Sequence, residues 1–99
     1  MPKQIIWSPA AESDLESILT FLEVKWSSRI VSRFLNKLDD CINLISEDHK
    51  LFPFINKDLE IRKCVVSKQN TLYYRMKDDK IELVRLFDTR QDPEKLNLK

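Results

Sequence analysis

Apolar positions along this chain fall into two rhythms, one helical and one strand-like. Gln4-Ile5-Ile6-Trp7 is a short β-rich run stopped by Ser8-Pro9. Serine before proline predicts a helix start, because the hydroxyl can accept from a free N–H and proline suits the first helical position. Ala11, Leu15, Ile18, Leu19 and Leu22 then recur at helical spacing. Glu12, Asp14 and Glu16 crowd the first turns, where carboxylates meet the positive end of the helix dipole. Ser27-Ser28 marks a break or a new cap. A second helix follows, with Val31, Phe34, Leu35, Leu38, Cys41, Ile42 and Ile45 on one stripe. Arg29, Arg33, Lys37, Asp40 and Asn43 fall outside it, so the pair predicts an antiparallel helical hairpin.

The rhythm then shortens. Glu47 to Lys57, with Pro53, reads as a loop whose Leu51, Phe52, Phe54 and Ile55 predict a segment lying against the core. Three β-rich runs close the chain: Ile61–Val66, Thr71–Met76 and Ile81–Phe87. Ser67-Lys68-Gln69-Asn70 and Lys77-Asp78-Asp79-Lys80 join them at hairpin length. The chain has no glycine, so Asn70 and Asp78 or Asp79 are the residues expected in left-handed turn geometry. The order β-α-α-β-β-β predicts an α+β fold, an antiparallel meander with the helical hairpin on one face.

Composition narrows the class. Ninety-nine residues, 42% hydrophobic and 33% charged, predict a single domain over 1–99. No apolar run approaches the roughly 20 residues that cross a bilayer, and Met-Pro-Lys does not begin a secretory signal. Cys41 and Cys64 have neither metal spacing nor histidines nearby and read as small buried hydrophobes. No metal or other cofactor is expected, and a reducing, cytoplasmic home follows. The net charge of +1 hides an asymmetry. Residues 1–50 carry 6 Lys/Arg against 8 Asp/Glu (−2), and residues 51–99 carry 11 against 8 (+3). Ile61 to Lys77 holds Arg62, Lys63, Lys68, Arg75 and Lys77 with no acid. Such a local patch suits phosphates or an acidic partner, but the chain lacks the overall basicity of a protein that holds nucleic acid by charge alone.

Four stretches carry a resemblance. They are Ile6-Trp7-Ser8-Pro9-Ala10-Ala11-Glu12-Ser13-Asp14-Leu15, Ile61-Arg62-Lys63, Leu72-Tyr73-Tyr74-Arg75, and Leu86-Phe87-Asp88-Thr89-Arg90-Gln91-Asp92-Pro93. In this order and at this length, the chain resembles the RelE/ParE superfamily of toxins from bacterial type II toxin–antitoxin modules, ParE-like more than RelE-like. The resemblance implies a cognate antitoxin, a role of the plasmid-stabilisation (addiction) type, and one of two targets. ParE-like members bind DNA gyrase; RelE-like members are mRNA interferases that cut messenger RNA on the ribosome. Neither implies a small-molecule substrate or a membrane. A third reading is a degenerate member that binds the antitoxin without toxicity.

Chemistry separates the two targets. RNA cleavage by 2′-OH attack needs a proton acceptor, cations for the crowded phosphate and an acid for the leaving oxygen. Arg90 matches the family's arginine after the last strand, and Arg62 a common basic position of the second strand. The third-strand position where RelE-like nucleases often carry arginine is Thr71, and the C-terminal tyrosine position falls near Leu96. His49 lies far along the chain from these strands. The candidate nuclease set is therefore Arg62, Tyr73, Asp88 and Arg90, without a family-matched proton shuttle. The candidate target-binding set is Arg62, Lys63, Tyr73, Arg75, Arg85 and Arg90. The balance favours gyrase binding over cutting.

Ordinary structural roles compete for the same residues. Arg62, Arg75 and Arg85 can line the solvent face and pair with Glu60 or Glu82. Arg85 interrupts an apolar set of Ile81, Leu83 and Phe87 on its own face, which predicts a partly buried pair with Asp88 or Glu82. Tyr74 is expected in the core with Leu72 and Met76, and Tyr73 on the open face with Arg75. Trp7 and Trp26 are expected to fill the core and the hairpin end. Asp92-Pro93-Glu94 suits the start of a short helical turn. The antitoxin's acidic residues are expected to meet the basic strands.

Overall fold

In the computed structural model, which describes residues 3–92, 94, 96 and 98, the chain runs β1 (Ile5–Trp7), α1 (Pro9–Lys25), α2 (Ser28–Glu47), β2 (Phe54–Asn56), β3 (Ile61–Ser67), β4 (Asn70–Lys77) and β5 (Lys80–Asp88). The strands form one sheet in the order β1-β5-β4-β3-β2. β1 runs parallel to β5, and every other pair is antiparallel. The α+β architecture read from the sequence stands, with the meander extended by a strand at one side.

Ser8 explains how α1 leaves the sheet. Its Oγ accepts from Ala11 N at 3.0 Å and donates to the Val84 carbonyl at 2.8 Å, so one hydroxyl caps the helix and ties it to β5. Ser27, at the start of α2, makes no such side-chain bond, so Ser27-Ser28 is a break rather than a hydroxyl cap. α2 buries Phe34, Leu38, Cys41 and Ile45 from its predicted stripe. α1 buries only Ala11 completely; Leu15, Ile18, Leu19 and Leu22 pack half-buried against the same core. That core meets Cys64, Val66, Leu72, Tyr74, Ile81, Leu83 and Leu86 from the sheet.

The set on β5 changes phase between Leu83 and Leu86, which strict alternation would put on opposite faces. A bulge resolves this. Tyr73 pairs with Arg85 but Tyr74 pairs with Leu83, leaving Val84 as the extra residue. Arg85 therefore does not share a face with Leu83, contrary to the uninterrupted alternation assumed from the sequence.

Three expectations need correction. Residues 54–56 form a strand rather than loop, because Asn56 Oδ1 accepts from Leu59 N at 3.0 Å and Glu60 takes φ 55°, folding the chain back so that Phe54 pairs with Arg62. At this edge Leu51, Phe54 and Ile55 stay exposed, and of the four apolar loop residues only Phe52 packs on the core. Asn70 does not adopt positive φ, whereas Asp78 and Asp79 both do (52° and 61°), giving the β4–β5 turn the twist that suits a two-residue hairpin. Trp26 is 61% exposed at the hairpin apex instead of filling it; its N–H closes α1 on the Leu22 carbonyl while its ring faces outward. Trp7 packs half-buried against the core.

Candidate functional site

Cross-strand register sorts the candidate cations. Lys63 lies opposite Tyr73, and Tyr73 opposite Arg85, so the three form one row across β3, β4 and β5. Arg75 lies opposite Glu82, one step along the same face. Tyr73 is half-buried there and Tyr74 is in the core, as the alternation predicts. Burial raises the Tyr73 phenol above its usual range, which keeps it a hydrogen-bond donor rather than a proton acceptor at neutral pH.

Arg62 does not join that row. It lies opposite Tyr74, on the helix-side face, and its Nη1 donates to the Phe52 carbonyl at 2.6 Å. Its guanidinium sits 3.8 Å from the Phe54 ring centroid, a cation–π contact. Among the described residues it pairs with neither Glu60 nor Glu82. Arg62 thus holds the 48–56 segment on the sheet. Tyr74 assists from below, donating its hydroxyl to the His49 carbonyl at 2.8 Å; burial pushes that phenol up to about 12. The fold so brings His49, distant in sequence, beside Arg62. Both line a hollow of about 180 Å³ with Lys50, Phe54, Glu60 and Arg75. Burial first, then the charges of Lys3, Lys50 and Arg62, lower the His49 imidazole below its ordinary value, so it is neutral at pH 7.

The remaining candidate arginines, Arg75, Arg85 and Arg90, are engaged by carboxylates. Arg75 Nε reaches Glu82 at 2.7 Å. Arg85 is held at two points by Asp14 of α1, Nε at 2.7 Å and Nη2 at 2.9 Å. Neither Asp88 nor Glu82 is its partner, because α1 runs beside β5 beyond the short β1. There Asp14 also accepts the Leu86 N–H at 3.0 Å, an edge donor that β1 does not reach. No local signal in the sequence marks this pair, whose members stand 71 residues apart.

Arg90 closes on Asp88 in the same forked geometry, Nε at 3.0 Å and Nη2 at 2.8 Å, with the Arg90 N–H added at 2.9 Å. These contacts hold the Asp88 carboxyl below its ordinary value, against the opposing effect of its own burial. Asp88 is therefore an anion at neutral pH, not an acid with a proton to give. The Arg90 guanidinium also lies 5.5 Å from the Phe21 ring centroid of α1. Asp88, Arg90 and Phe21 border a cleft of about 380 Å³ between α1 and the end of β5, which also contains Asp14 and Asn70. The Asp92 side chain accepts the Glu94 N–H at 3.0 Å, and Pro93 lies outside the described residues. Among the described residues no group of His, Cys, Asp and Glu is arranged to hold a metal, and no helix is long and apolar enough to cross a membrane. Cys41 and Cys64 are both buried and unbridged.

Comparison with known proteins places this arrangement. Residues 5–93 match the family described as the ParE toxin of the type II toxin–antitoxin system, parDE. The fold is similar to that of a chain in the chromosomal ParDE system from P. aeruginosa, with TM-score 0.71 and 13% identity over 87% of this chain and 95% of that one. It is also similar to the YoeB/ParE toxin from Agrobacterium tumefaciens (TM-score 0.62, 14% identity, 86% and 96% of the two chains). A chain of the E. coli DinJ–YafQ toxin–antitoxin complex aligns with TM-score 0.61 at 14% identity, over 91% and 96% of the two chains. No curated protein matches the sequence. At these identities the solved structures speak to fold alone, whereas the family match spans nearly the whole chain. The chain belongs to the ParE toxin family of type II toxin–antitoxin systems.

Proposed function

We propose that this chain is a cytoplasmic toxin that arrests growth by binding DNA gyrase and is neutralised by a cognate antitoxin, in a module of the plasmid-stabilisation type. One observation carries the choice of a protein target: three of the candidate cations that a phosphate would need are already paired. Arg75, Arg85 and Arg90 each meet a carboxylate at 2.7 to 2.8 Å. Paired arginines suit a protein surface better than a polyanion whose binding draws on free cations. Phe21 of α1, 41% exposed, stands beside Arg90, and Val24 and Trp26 are exposed at the end of α1 and just past it, at 76% and 61%. They supply desolvation energy for a protein contact. Within this reading Lys63, Tyr73 and Arg90 are the target-facing residues, and Arg62 acts by positioning the 48–56 segment.

Induced expression tests the reading. Growth arrest with falling plasmid supercoiling and intact transcripts supports it, as does loss of gyrase inhibition in purified reactions on Arg90→Ala. Intact supercoiling during arrest refutes it. If growth continues unchanged, the degenerate, antitoxin-binding reading replaces both toxin readings.

A second reading, ribosome-dependent mRNA cleavage, is favoured by the neutral His49 beside Arg62, since a neutral imidazole can accept the 2′-OH proton. It requires mapped transcript ends to appear on induction and to vanish in His49→Ala. Uncut transcripts exclude it.

A further inference from the structure

A second run of cations lies away from the paired arginines. From Val24 to Leu38 the chain holds Lys25, Arg29, Arg33 and Lys37, one at every fourth position, and no acid. The last three belong to α2, where a spacing of four keeps side chains on one side of the helix, about 6 Å apart along its axis. Ser28, Ser32 and Asn36 stand beside them, each one position earlier. All six of these α2 residues are exposed, while Phe34 and Leu38 are buried on the opposite side. The outer face of the first half of α2 is thus built wholly of hydrogen-bond donors, three of them charged. Acids begin only at Asp39 and Asp40.

Unlike Arg75, Arg85 and Arg90, none of these cations is in an ion pair among the described residues. Two further features add positive potential. The first turn of α2 contains no acid and the Ser27 side chain makes no cap bond, so no side chain offsets the positive end of the helix dipole. Ser67 and Gln69 of the β3–β4 turn share a hollow of about 140 Å³ with Arg33 and Lys37, which sets the exposed Lys68 at the same corner.

This chemistry separates the possible occupants. The centre of a protein interface is apolar or aromatic and depleted of charge, and this face has no apolar residue at all. Arg, Lys, Ser and Asn are the side chains that contact phosphate oxygens. A straight row of cations suits the regularly spaced charges of a nucleic-acid backbone. None of the six residues is aromatic, so the face offers no platform on which an unpaired base could stack, which favours a duplex over a single strand.

We propose that the outer face of α2, with Lys68, is a contact surface for the phosphate backbone of duplex DNA. This goes beyond the gyrase reading by adding a second surface. The choice of DNA over duplex RNA rests on that reading, because a toxin seated on gyrase lies beside the duplex on which gyrase works. The sheet side, with its paired arginines, meets protein, and α2, with its unpaired ones, meets phosphate. With a net charge of only +1, the chain binds DNA weakly by itself, and the protein contact raises the effective concentration.

Fluorescence anisotropy of a labelled duplex of about 20 base pairs, titrated with the full chain at about 50 mM salt, tests the surface without gyrase. About four phosphate contacts should give a slope of log K against log salt between about −3 and −4. Arg33→Gln/Lys37→Gln should weaken binding about tenfold or more and reduce that slope by about 2. Lys57→Gln/Lys80→Gln removes the same charge from two exposed residues at the other ends of β3 and β4, and should bind as the parent does. No binding by the parent, or equal binding by the two double variants, overturns the surface. Polyglutamate that displaces the duplex as well as unlabelled DNA does would make the occupant an acidic protein. A duplex RNA that binds more tightly than DNA would make it RNA. Either result overturns the assignment.

Supercoiling assays separate this surface from the gyrase reading. Inhibition by the parent that needs a severalfold higher concentration of Arg33→Gln/Lys37→Gln supports both. Inhibition without any duplex binding removes the surface and leaves the gyrase reading. Duplex binding through α2 with supercoiling untouched retains the surface and removes that reading.

Discussion

Arg85–Asp14 and Arg90–Asp88 are the same chemical object in two settings. Each is an arginine forked onto an aspartate, with the closest contacts at 2.7 Å and 2.8 Å. The first joins α1 to β5 across 71 residues, and both side chains are less than a fifth exposed. The second spans two residues, and its arginine side chain is 51% exposed. Burial and chain separation set the two pairs apart. Arg85–Asp14 is a tertiary clamp, whereas Arg90–Asp88 is a local fork at the rim of the cleft with half of the arginine side chain exposed.

The largest separation between the pairs should come from truncating the aspartates. Asp14→Ala strands Arg85 in a half-buried site and unpairs the Leu86 N–H, so it should cost about 2–3 kcal/mol in urea denaturation. Asp88→Ala should cost less than about 1 kcal/mol, as expected for an exposed local pair. Equal losses would erase the distinction. A double-mutant cycle is the sharper form of the same experiment. Coupling should exceed about 1 kcal/mol for Arg85/Asp14 and stay near 0.5 kcal/mol or below for Arg90/Asp88.

Salt gives a smaller effect. Raising ionic strength towards 1 M shrinks the Debye length to about 3 Å, which should diminish the Arg90/Asp88 coupling and spare most of the Arg85/Asp14 coupling. The smallest effect is in acid. Arg90 lowers the folded pKa of Asp88 below its ordinary 3.8. The stabilisation is therefore fully present above that unfolded value and is lost as pH falls through the lower folded one. Carboxyl shifts followed by NMR should show Asp88 titrating below 3.8, and Arg90→Gln should move it upward. An unmoved Asp88 would mean that the fork does not persist in solution.

Much of this was legible in the residues. The stripe from Phe34 to Ile45 and the alternation through Leu72 and Tyr74 each bury what their periods predict. Ser8-Pro9 begins a helix because its capping chemistry is local. What escaped depends on neighbours far along the chain. β2 has only three residues and gains its identity from pairing with β3. The Val84 bulge left a trace, since Leu83 and Leu86 cannot share a face under strict alternation. That trace was masked by reading Phe87 as the continuation of the set. Arg62 looked like a surface cation because strand parity alone does not reveal that the 48–56 segment folds over it.

The same division runs through the site. Local chemistry determined the two helices, the meander, the turn at Asp78-Asp79 and the family-like words at both ends, since each depends on residues a few positions apart. Only the tertiary structure decided which arginines are free. It set Asp14 against Arg85, brought His49 to Arg62, and left the Asn70 amide without a donor between two helices and a strand end. The Asp14–Arg85 pair follows from the parallel pairing of β1 with β5, which fixes where α1 lies, and the approach of His49 follows from the contacts of Arg62 and Tyr74 with the 48–56 segment. A long-range pairing has no signature within any single stretch of the chain.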